Sequence, residues 1–275
     1  MSSRSPGIVL WGFPVIYLGW AYLFWSLILG SDSSVWELPN LLFFLLGGAS
    51  PLLAAFLLVW MQSGKAGLLV LRHRLLVGRR LSMPWLLVIL TYWLFFNLVM
   101  AGIAWFLGIS ARPFDIHWEL FRDPSGLLFL ILLSFVFPAV EEVGLRGVYL
   151  DALLRRFSTG MAALINGVTW AVWHAPFVWF PGYYANTTFN PAIYWWLPMI
   201  ICTTVLITQV YIGTGRSIIA VLLFHGMMNF TGELLGISSD MYPFLLSGYA
   251  VVALLLLLYW SNNRMPGQSH KKGSE

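Results

Sequence analysis

Apolar residues fill eight long stretches of this chain, and short polar segments separate them. Each stretch is close to the roughly 20 residues that an α-helix needs to cross the hydrocarbon core of a bilayer. The pattern therefore predicts an all-α integral membrane protein with about eight transmembrane helices and one polytopic domain over residues 1–275. Six spans are predicted at residues 7–30, 39–61, 84–108, 160–180, 192–213 and 242–260, with a fourth span starting near residue 126 and a seventh at residue 217.

The composition of the chain supports this interpretation. Of its 275 residues, 59% are hydrophobic and only 9% are charged, whereas a soluble domain carries about 25% charged residues. The length is used up by the spans and their connections, so no soluble domain is expected. Cys202 is the single cysteine, which excludes an internal disulfide. The net charge of +4 does not indicate a nucleic-acid partner, because its position along the chain explains it better.

Basic residues collect on one side of the predicted bundle. With eight spans, this side holds Arg4, Lys65, Arg72, Arg74, Arg79, Arg80, Arg155, Arg156, Arg216, Arg264, Lys271 and Lys272. Lys and Arg are enriched in cytoplasmic loops, so both termini are predicted to be cytoplasmic. We expect the host bilayer to be the plasma (inner) membrane of a prokaryote. Residues 63–83 form a basic amphipathic segment predicted at the cytoplasmic interface, and residues 261–275 form a polar tail.

Two adjacent acids, Glu141 and Glu142, lie inside the apolar stretch of the fourth span. Ionisable side chains are unfavourable in hydrocarbon, so the pair indicates a functional site. On a helix, Glu142 and Arg146 lie one turn apart on the same face, with the acid before the base. Because Glu141 points about 100° away, we predict that Glu142 pairs with Arg146 and that Glu141 is left for chemistry.

Two histidine motifs lie on other spans. His174 follows Trp170 by one helical turn on span five, and His225 precedes Asn229 by one turn on span seven. A buried carboxylate with two imidazoles and an amide can activate water and stabilise the oxyanion of a tetrahedral intermediate. The alternative is that His225 and Asn229 form interhelical hydrogen bonds. We expect four side chains to converge on one cavity: Glu141, His174, His225 and Asn229.

The ordered motifs Glu-Glu-x-x-x-Arg, aromatic-x-x-x-His and His-x-x-x-Asn resemble the CAAX protease and bacteriocin-processing family of intramembrane proteases, also called CPBP or Abi. The resemblance covers residues 120–235 and implies a protease-like core on spans four to seven. It implies an endopeptidase that hydrolyses a peptide bond in a membrane-associated protein or peptide. CAAX processing removes three residues after a prenylated cysteine, and nothing in the sequence chooses between that substrate and other small peptides.

The resemblance also implies roles for individual residues. Glu141 would be the essential catalytic carboxylate, supported by Glu142, with Arg146 bracing the pair. His174 would help to activate water, and Trp170 would stand where the family usually has Phe. His225 and Asn229 would bind either a metal ion or the oxyanion of the intermediate.

The family is described both as metal-dependent and as a group of glutamate proteases, and the residues fit either description. One divalent ion, with zinc the best match, would be held by Glu141, His174, His225 and Asn229. The partners expected are a membrane-anchored peptide or protein and the lipid bilayer, without nucleic acid, and the oligomeric state is open.

Two other functions remain as alternatives at this point. One is a non-catalytic membrane scaffold, regulator or immunity protein that keeps the family fold. The other is a proton-coupled transporter with Glu141 and His174 as relay groups, which eight spans without visible internal repeats disfavour.

Overall fold

The computed structural model describes residues 7–76, 81–185, 189 and 191–263. Within these residues the regular structure is helical, and eight helices are long and apolar enough to cross a membrane. The predicted all-α membrane fold is thereby confirmed. The helices are α1 (Gly7–Leu29), α2 (Asn40–Gly48), α3 (Ser50–Leu76), α4 (Met83–Phe106), α5 (Pro124–Gly144), α6 (Asp151–Leu154), α7 (Thr159–His174), α8 (Ile193–Gly213), α9 (Ile218–Leu235) and α10 (Met241–Asn262). Residues 77–80 of the predicted basic segment, the tail from residue 264, and Arg4 lie outside the described residues.

Helix α3 is broken at Gly64, which has φ 58° and ψ −151°. These angles lie outside the range that residues with a Cβ adopt readily, so glycine fits this position. The break comes just after residue 61, where the second span was predicted to end. Helix α2 and the first part of α3 both pack along α1, where Trp25 donates to the carbonyl of Phe44 at 3.3 Å and Gly12 faces Leu58. The residues after Gly64 form the basic part of α3.

The fourth span changes its helical form immediately after the acidic pair. Helix α5 begins at Pro124, with the side chain of Asp123 accepting from the backbone N–H of Ser125 at 3.1 Å. A proline in the first turn and an acidic cap are both typical of a helix start. After Gly144 the chain forms a π-helical turn over Leu145–Leu150 and then enters α6. We call residues Leu145–Leu150 the π-turn. Such turns occur frequently at functional sites.

Glycines let the neighbouring helices approach the fourth span closely. A Cβ at Gly144 would lie 2.4 Å from the backbone oxygen of Pro51 on α3. A Cβ at Gly226 on α9 would lie 2.2 Å from the ring of Phe135 on α5. Real side chains do not approach so closely, so alanine at Gly144 would force the two backbones apart. Small residues have this role at many helix interfaces in membranes.

Contacts between connections mark the two ends of the bundle. At one end, Phe114 forms an isolated antiparallel bridge with Ile237, which ties the connection before α5 to the one after α9. At the other end, Arg74 and Arg216 both contact Asp151. This second end holds the basic connections from which a cytoplasmic location was predicted. The orientation itself stays a prediction.

Candidate functional site

Trp170 on α7 is the residue that most of the predicted site residues contact. Its indole Nε1 donates to Oε2 of Glu141 at 2.7 Å. Its ring lies edge-on to the imidazoles of His174 and His225, with centroids 5.2 Å and 5.1 Å apart. The guanidinium carbon of Arg146 lies 4.4 Å from the ring centroid. The structure therefore brings three of the four side chains that were expected to converge around one indole, which is only 2% exposed.

Glu142 is the centre of a buried ion cluster. Its Oε1 lies 2.8 Å from Nη1 of Arg146 and 2.8 Å from Nδ1 of His225. Glu142 and Arg146 are both fully buried, and His225 is 4% exposed. The predicted pairing of Glu142 with Arg146 is thus confirmed. A carboxylate only accepts hydrogen bonds, so Nδ1 of His225 is the donor to Glu142.

Among the described residues, His225 hydrogen-bonds to one of the two acids and lies beside Trp170, the donor to the other. We expected His225 to lie with Glu141, but its hydrogen bond goes to Glu142. The reason is the 100° step between adjacent residues of a helix. This step turns Glu141 toward α7, where Trp170 lies, and Glu142 toward α9, where His225 lies.

The two carboxylate oxygens of Glu141 differ in their hydrogen bonding. Its Oε2 accepts the Trp170 hydrogen bond, and among the described residues its Oε1 accepts no hydrogen bond. The residue is 8% exposed, so it is almost completely withdrawn from solvent. An oriented carboxylate with one unoccupied oxygen can accept a proton from a water molecule.

His174 has a tautomer that the backbone defines. Its Nδ1 lies 3.1 Å from the carbonyl oxygen of Trp170. A carbonyl oxygen only accepts hydrogen bonds, so Nδ1 must carry the proton, and in the neutral ring Nε2 then presents a lone pair. Aromatic rings surround the imidazole, from Trp173, Phe177 and Trp196 in addition to Trp170. They restrict its orientation.

Asn229 is not joined to the other site residues. It lies one turn beyond His225 on α9 and is half-buried. Among the described residues, no hydrogen bond of its side chain links it to Glu141, Glu142 or either histidine. An amide on the same helical face as His225 is available to a bound substrate.

Sequence reasoning missed two polar residues that support the site. Thr204 on α8 accepts from Nη2 of Arg146 at 3.3 Å, and Asn166 on α7 donates to the carbonyl oxygen of Leu145 at 3.0 Å. Both residues are fully buried. Neither belongs to a motif, and single threonines and asparagines are ordinary in such helices, so no local signal could have identified them.

The predicted metal ligands do not gather into a metal site among the residues that the structure describes. No group of three His, Cys, Asp or Glu side chains there is placed to hold an ion. Nδ1 of His225 is engaged by Glu142, and Arg146 already supplies a cation to that carboxylate. The zinc ion that the family resemblance suggests therefore stays a prediction.

The segment that contains the site also matches a known protein family. Residues 123–231 match the family model described as type II CAAX prenyl endopeptidase Rce1-like. Over this segment the chain is similar to the Rce1-like family. The matched residues include every predicted catalytic position from Glu141 to Asn229, and the resemblance drawn from the three motifs is confirmed.

A curated relative points in the same direction. The chain is 31% identical over 154 residues to a protein of Methanococcus maripaludis named CAAX prenyl protease 2. The aligned region covers 55% of this chain and 56% of that protein. The chain therefore spans little more than half of the length of this relative.

Proposed function

We propose that this Rce1-like protein is an intramembrane endopeptidase that hydrolyses a peptide bond with a water molecule activated by Glu141 and His174. The observation that carries the proposal is the contact of Trp170 with Glu141, His174 and His225. One rigid indole holds groups from three spans together, and preorganised groups are what hydrolysis without a nucleophilic side chain requires. The match to an endopeptidase family over the same residues supports the assignment.

Glu141 and His174 would act on the water. The free Oε1 of Glu141 takes one proton, and the bare Nε2 of His174 accepts a hydrogen bond from the other O–H and so orients the molecule. The water oxygen then bonds to the carbonyl carbon of the substrate. When the tetrahedral intermediate collapses, the C–N bond breaks and Glu141 returns its proton to the leaving amine. One water is consumed, and an acid and an amine are formed.

His225 and Asn229 would stabilise the oxyanion. Glu142 accepts from Nδ1 of His225 and so orients the ring, and in its protonated form the ring would donate from Nε2 to the substrate oxygen. The amide of Asn229, one turn further along α9, adds a second donor. In this scheme Glu142 orients His225 and Glu141 handles the proton.

The substrate class that we propose is a membrane-anchored protein with a prenylated cysteine near its C-terminus. The description of the family model and the name of the archaeal relative both support this class. A buried site between apolar helices also suits a peptide that a lipid group holds in the bilayer. We infer that the enzyme works in the plasma membrane of a prokaryote, with the cytoplasmic orientation that the basic residues predict.

The test uses the full chain in lipid and a synthetic peptide that ends in a farnesylated cysteine followed by three residues. Mass spectrometry should show loss of these three residues, and the peptide without the farnesyl group should react more slowly. Glu141→Gln should lower the rate at least about 1,000-fold, because the proton acceptor is lost. Glu119→Gln, at an exposed acid in the short 3₁₀ helix Trp118–Phe121, is the matched control and should retain full activity.

Two results would contradict the proposal. If Glu141→Gln cleaves as fast as Glu119→Gln, Glu141 is not the catalytic carboxylate. If the wild-type chain cleaves no peptide while Glu141→Gln keeps its cellular function, a scaffold role replaces the enzyme.

We propose further that hydrolysis does not depend on a bound metal, because the cation beside Glu142 is the guanidinium of Arg146. Purified protein should contain well under one metal ion per chain by elemental analysis. Dialysis against a chelator should leave the cleavage rate unchanged, and restoration of lost activity by Zn²⁺ would contradict this view.

A further inference from the structure

A second ion cluster lies at the end of the bundle that holds the basic connections. Asp151, the first residue of α6, is its centre. Its Oδ2 lies 3.0 Å from Nη1 of Arg74, and its Oδ1 accepts from the hydroxyl of Tyr211 at 2.9 Å and from Nη1 of Arg216 at 3.2 Å. Nη2 of Arg74 donates to the same tyrosine hydroxyl at 2.7 Å. No motif of the sequence includes any of these residues.

Arg74 also holds the backbone of the π-turn. Its Nη1 donates to the carbonyl oxygen of Gly147 at 2.9 Å. Gly147 directly follows Arg146, the residue that neutralises Glu142. A π-turn departs from the regular helical hydrogen-bond pattern, so an external donor to one of its carbonyls stabilises this particular backbone. The guanidinium of Arg74 thus acts one residue away from the buried ion cluster of the site.

The break at Gly64 makes this contact geometrically attainable. Helix α3 approaches the fourth span at two places, Pro51 against Gly144 and Arg74 against Gly147. Pro51 and Arg74 are roughly 23 residues apart, and a straight helix would separate them by about 35 Å. Their contacts on the fourth span are only three residues apart along the chain. The second part of α3 must therefore fold back toward the site after Gly64.

The connection between α8 and α9 is also tied to this cluster. Gly215 and Arg216 both have left-handed backbone angles, with φ of 68° and 67°. An arginine is rarely found in this conformation, and it persists only where its surroundings enforce it. Here the conformation brings Arg216 to Asp151, immediately before the helix that carries His225.

We propose that Arg74 is a positioning residue for catalysis, and that Asp151 and Tyr211 fix its guanidinium on the π-turn. By holding the Gly147 carbonyl, Arg74 sets the place of Arg146 and, through it, of Glu142 and His225. The inference rests on the proposed function, because it concerns the rate of the same hydrolysis. With this role, the basic segment after Gly64 would support the active site in addition to contacting lipid.

The test compares Arg74→Gln with Arg74→Lys and with Arg72→Gln, using the farnesylated peptide. Arg72 lies on the same part of α3, is exposed, and serves as the matched control. Arg74→Gln should lower kcat by about 10- to 100-fold, the size expected from a small misplacement of catalytic groups. KM should change less than about two-fold, because Arg74 has no part in binding the peptide. Arg74→Lys should recover part of kcat, since one ammonium reaches either Asp151 or Gly147 but lacks the fork that reaches both.

A second measurement does not depend on activity. Amide hydrogen exchange of the peptide that contains residues 145–150 should be faster in Arg74→Gln than in Arg72→Gln. If the wild type cleaves the peptide and both glutamine variants match it in kcat and exchange, the positioning role is wrong. If kcat per folded protein is unchanged and only the folded yield falls, Arg74 is merely structural and the inference also fails. If the wild type cleaves nothing, the proposed function fails, while exchange still reports whether Arg74 holds the π-turn.

Discussion

Two carboxylates of the fourth span are each held by arginine, and they differ in how far water reaches them. Glu142 and Arg146 have side chains with no exposure at all, and the third partner, His225, is 5% exposed at its side chain. Asp151 is 12% exposed at its side chain, and its partners Arg74 and Arg216 are 29% and 52% exposed. Val143, Gly144 and the π-turn separate Glu142 and Asp151 along the chain.

The difference in exposure to water determines what each ion cluster can do. In the sealed cluster every charge depends on its neighbours, because no water can replace a lost partner. Even so, Oε2 of Glu142 and Nε of Arg146 have no hydrogen-bond partner among the described residues. Such a cluster is a weak source of stability and a strong constraint on geometry. In the half-exposed cluster water can replace a lost ion-pair partner. The ion pairs there hold the connections together, but losing one of them costs less free energy.

The largest effect on stability is expected at the sealed cluster. Glu142→Ala should lower the free energy of unfolding by about 3–5 kcal/mol, because the charge of Arg146 would stay buried without its counter-ion. Equilibrium unfolding in mixed micelles measures this loss. Glu142→Gln keeps an acceptor for Arg146 and should fall between the wild type and Glu142→Ala. A loss below about 1 kcal/mol in Glu142→Ala would show that water enters the cluster.

A smaller effect is expected at the half-exposed cluster. Asp151→Ala removes the acceptor of two arginines and a tyrosine and should lower the free energy of unfolding by about 1–3 kcal/mol. The difference from the wild type should shrink as salt rises from about 0.05 to 0.5 M, because salt screens exposed charges more than buried ones. The loss in Glu142→Ala should not depend on salt. If both losses respond equally to salt, the two clusters do not differ as described.

The smallest effect is expected at a third carboxylate, which is fully exposed. The side-chain hydroxyl of Ser125 and the backbone N–H groups of Gly126 and Ser125 hydrogen-bond to Asp123 and lower the pKa of its carboxyl group. A lowered pKa means that the cap stabilises the start of α5 above the unfolded pKa of about 3.9. That contribution is lost as pH falls through the lower folded value.

Amide exchange at the first turn of α5 tests this cap. Asp123→Ala should exchange faster than the wild type at neutral pH, and the ratio of the two rates should approach one below about pH 4. A ratio that does not change with pH would contradict the role of the charged cap.

The fold could be predicted from sequence largely because a helix that crosses a bilayer needs about 20 apolar residues. Eight spans were predicted and eight long apolar helices are present, although the second predicted span, 39–61, is divided between α2 and α3. The pairing of Glu142 with Arg146 followed from their spacing of one turn. Both features depend on residues close together in the chain. The segment of the site was recognisable because its three motifs are short and ordered.

Features that depend on contacts between distant residues could not be predicted. The choice of His225 between Glu141 and Glu142 depends on which neighbouring helix each acid faces. The role of Trp170 as a hydrogen-bond donor to Glu141 depends on how α7 is placed beside the fourth span. The π-turn and the fold-back at Gly64 have no periodic signal, since each is one local departure inside an otherwise helical, apolar pattern.

The π-turn has a consequence for chain length. A π-helical turn bridges residues five apart where an α-helix bridges four, so it takes up one additional residue. Winding all six residues Leu145–Leu150 as a regular α-helix would instead rotate everything after them by about 100° relative to Glu142. Asp151 would then face away from Arg74. The wider π-turn thus absorbs one residue and keeps the Glu142 cluster and the Asp151 cluster in phase.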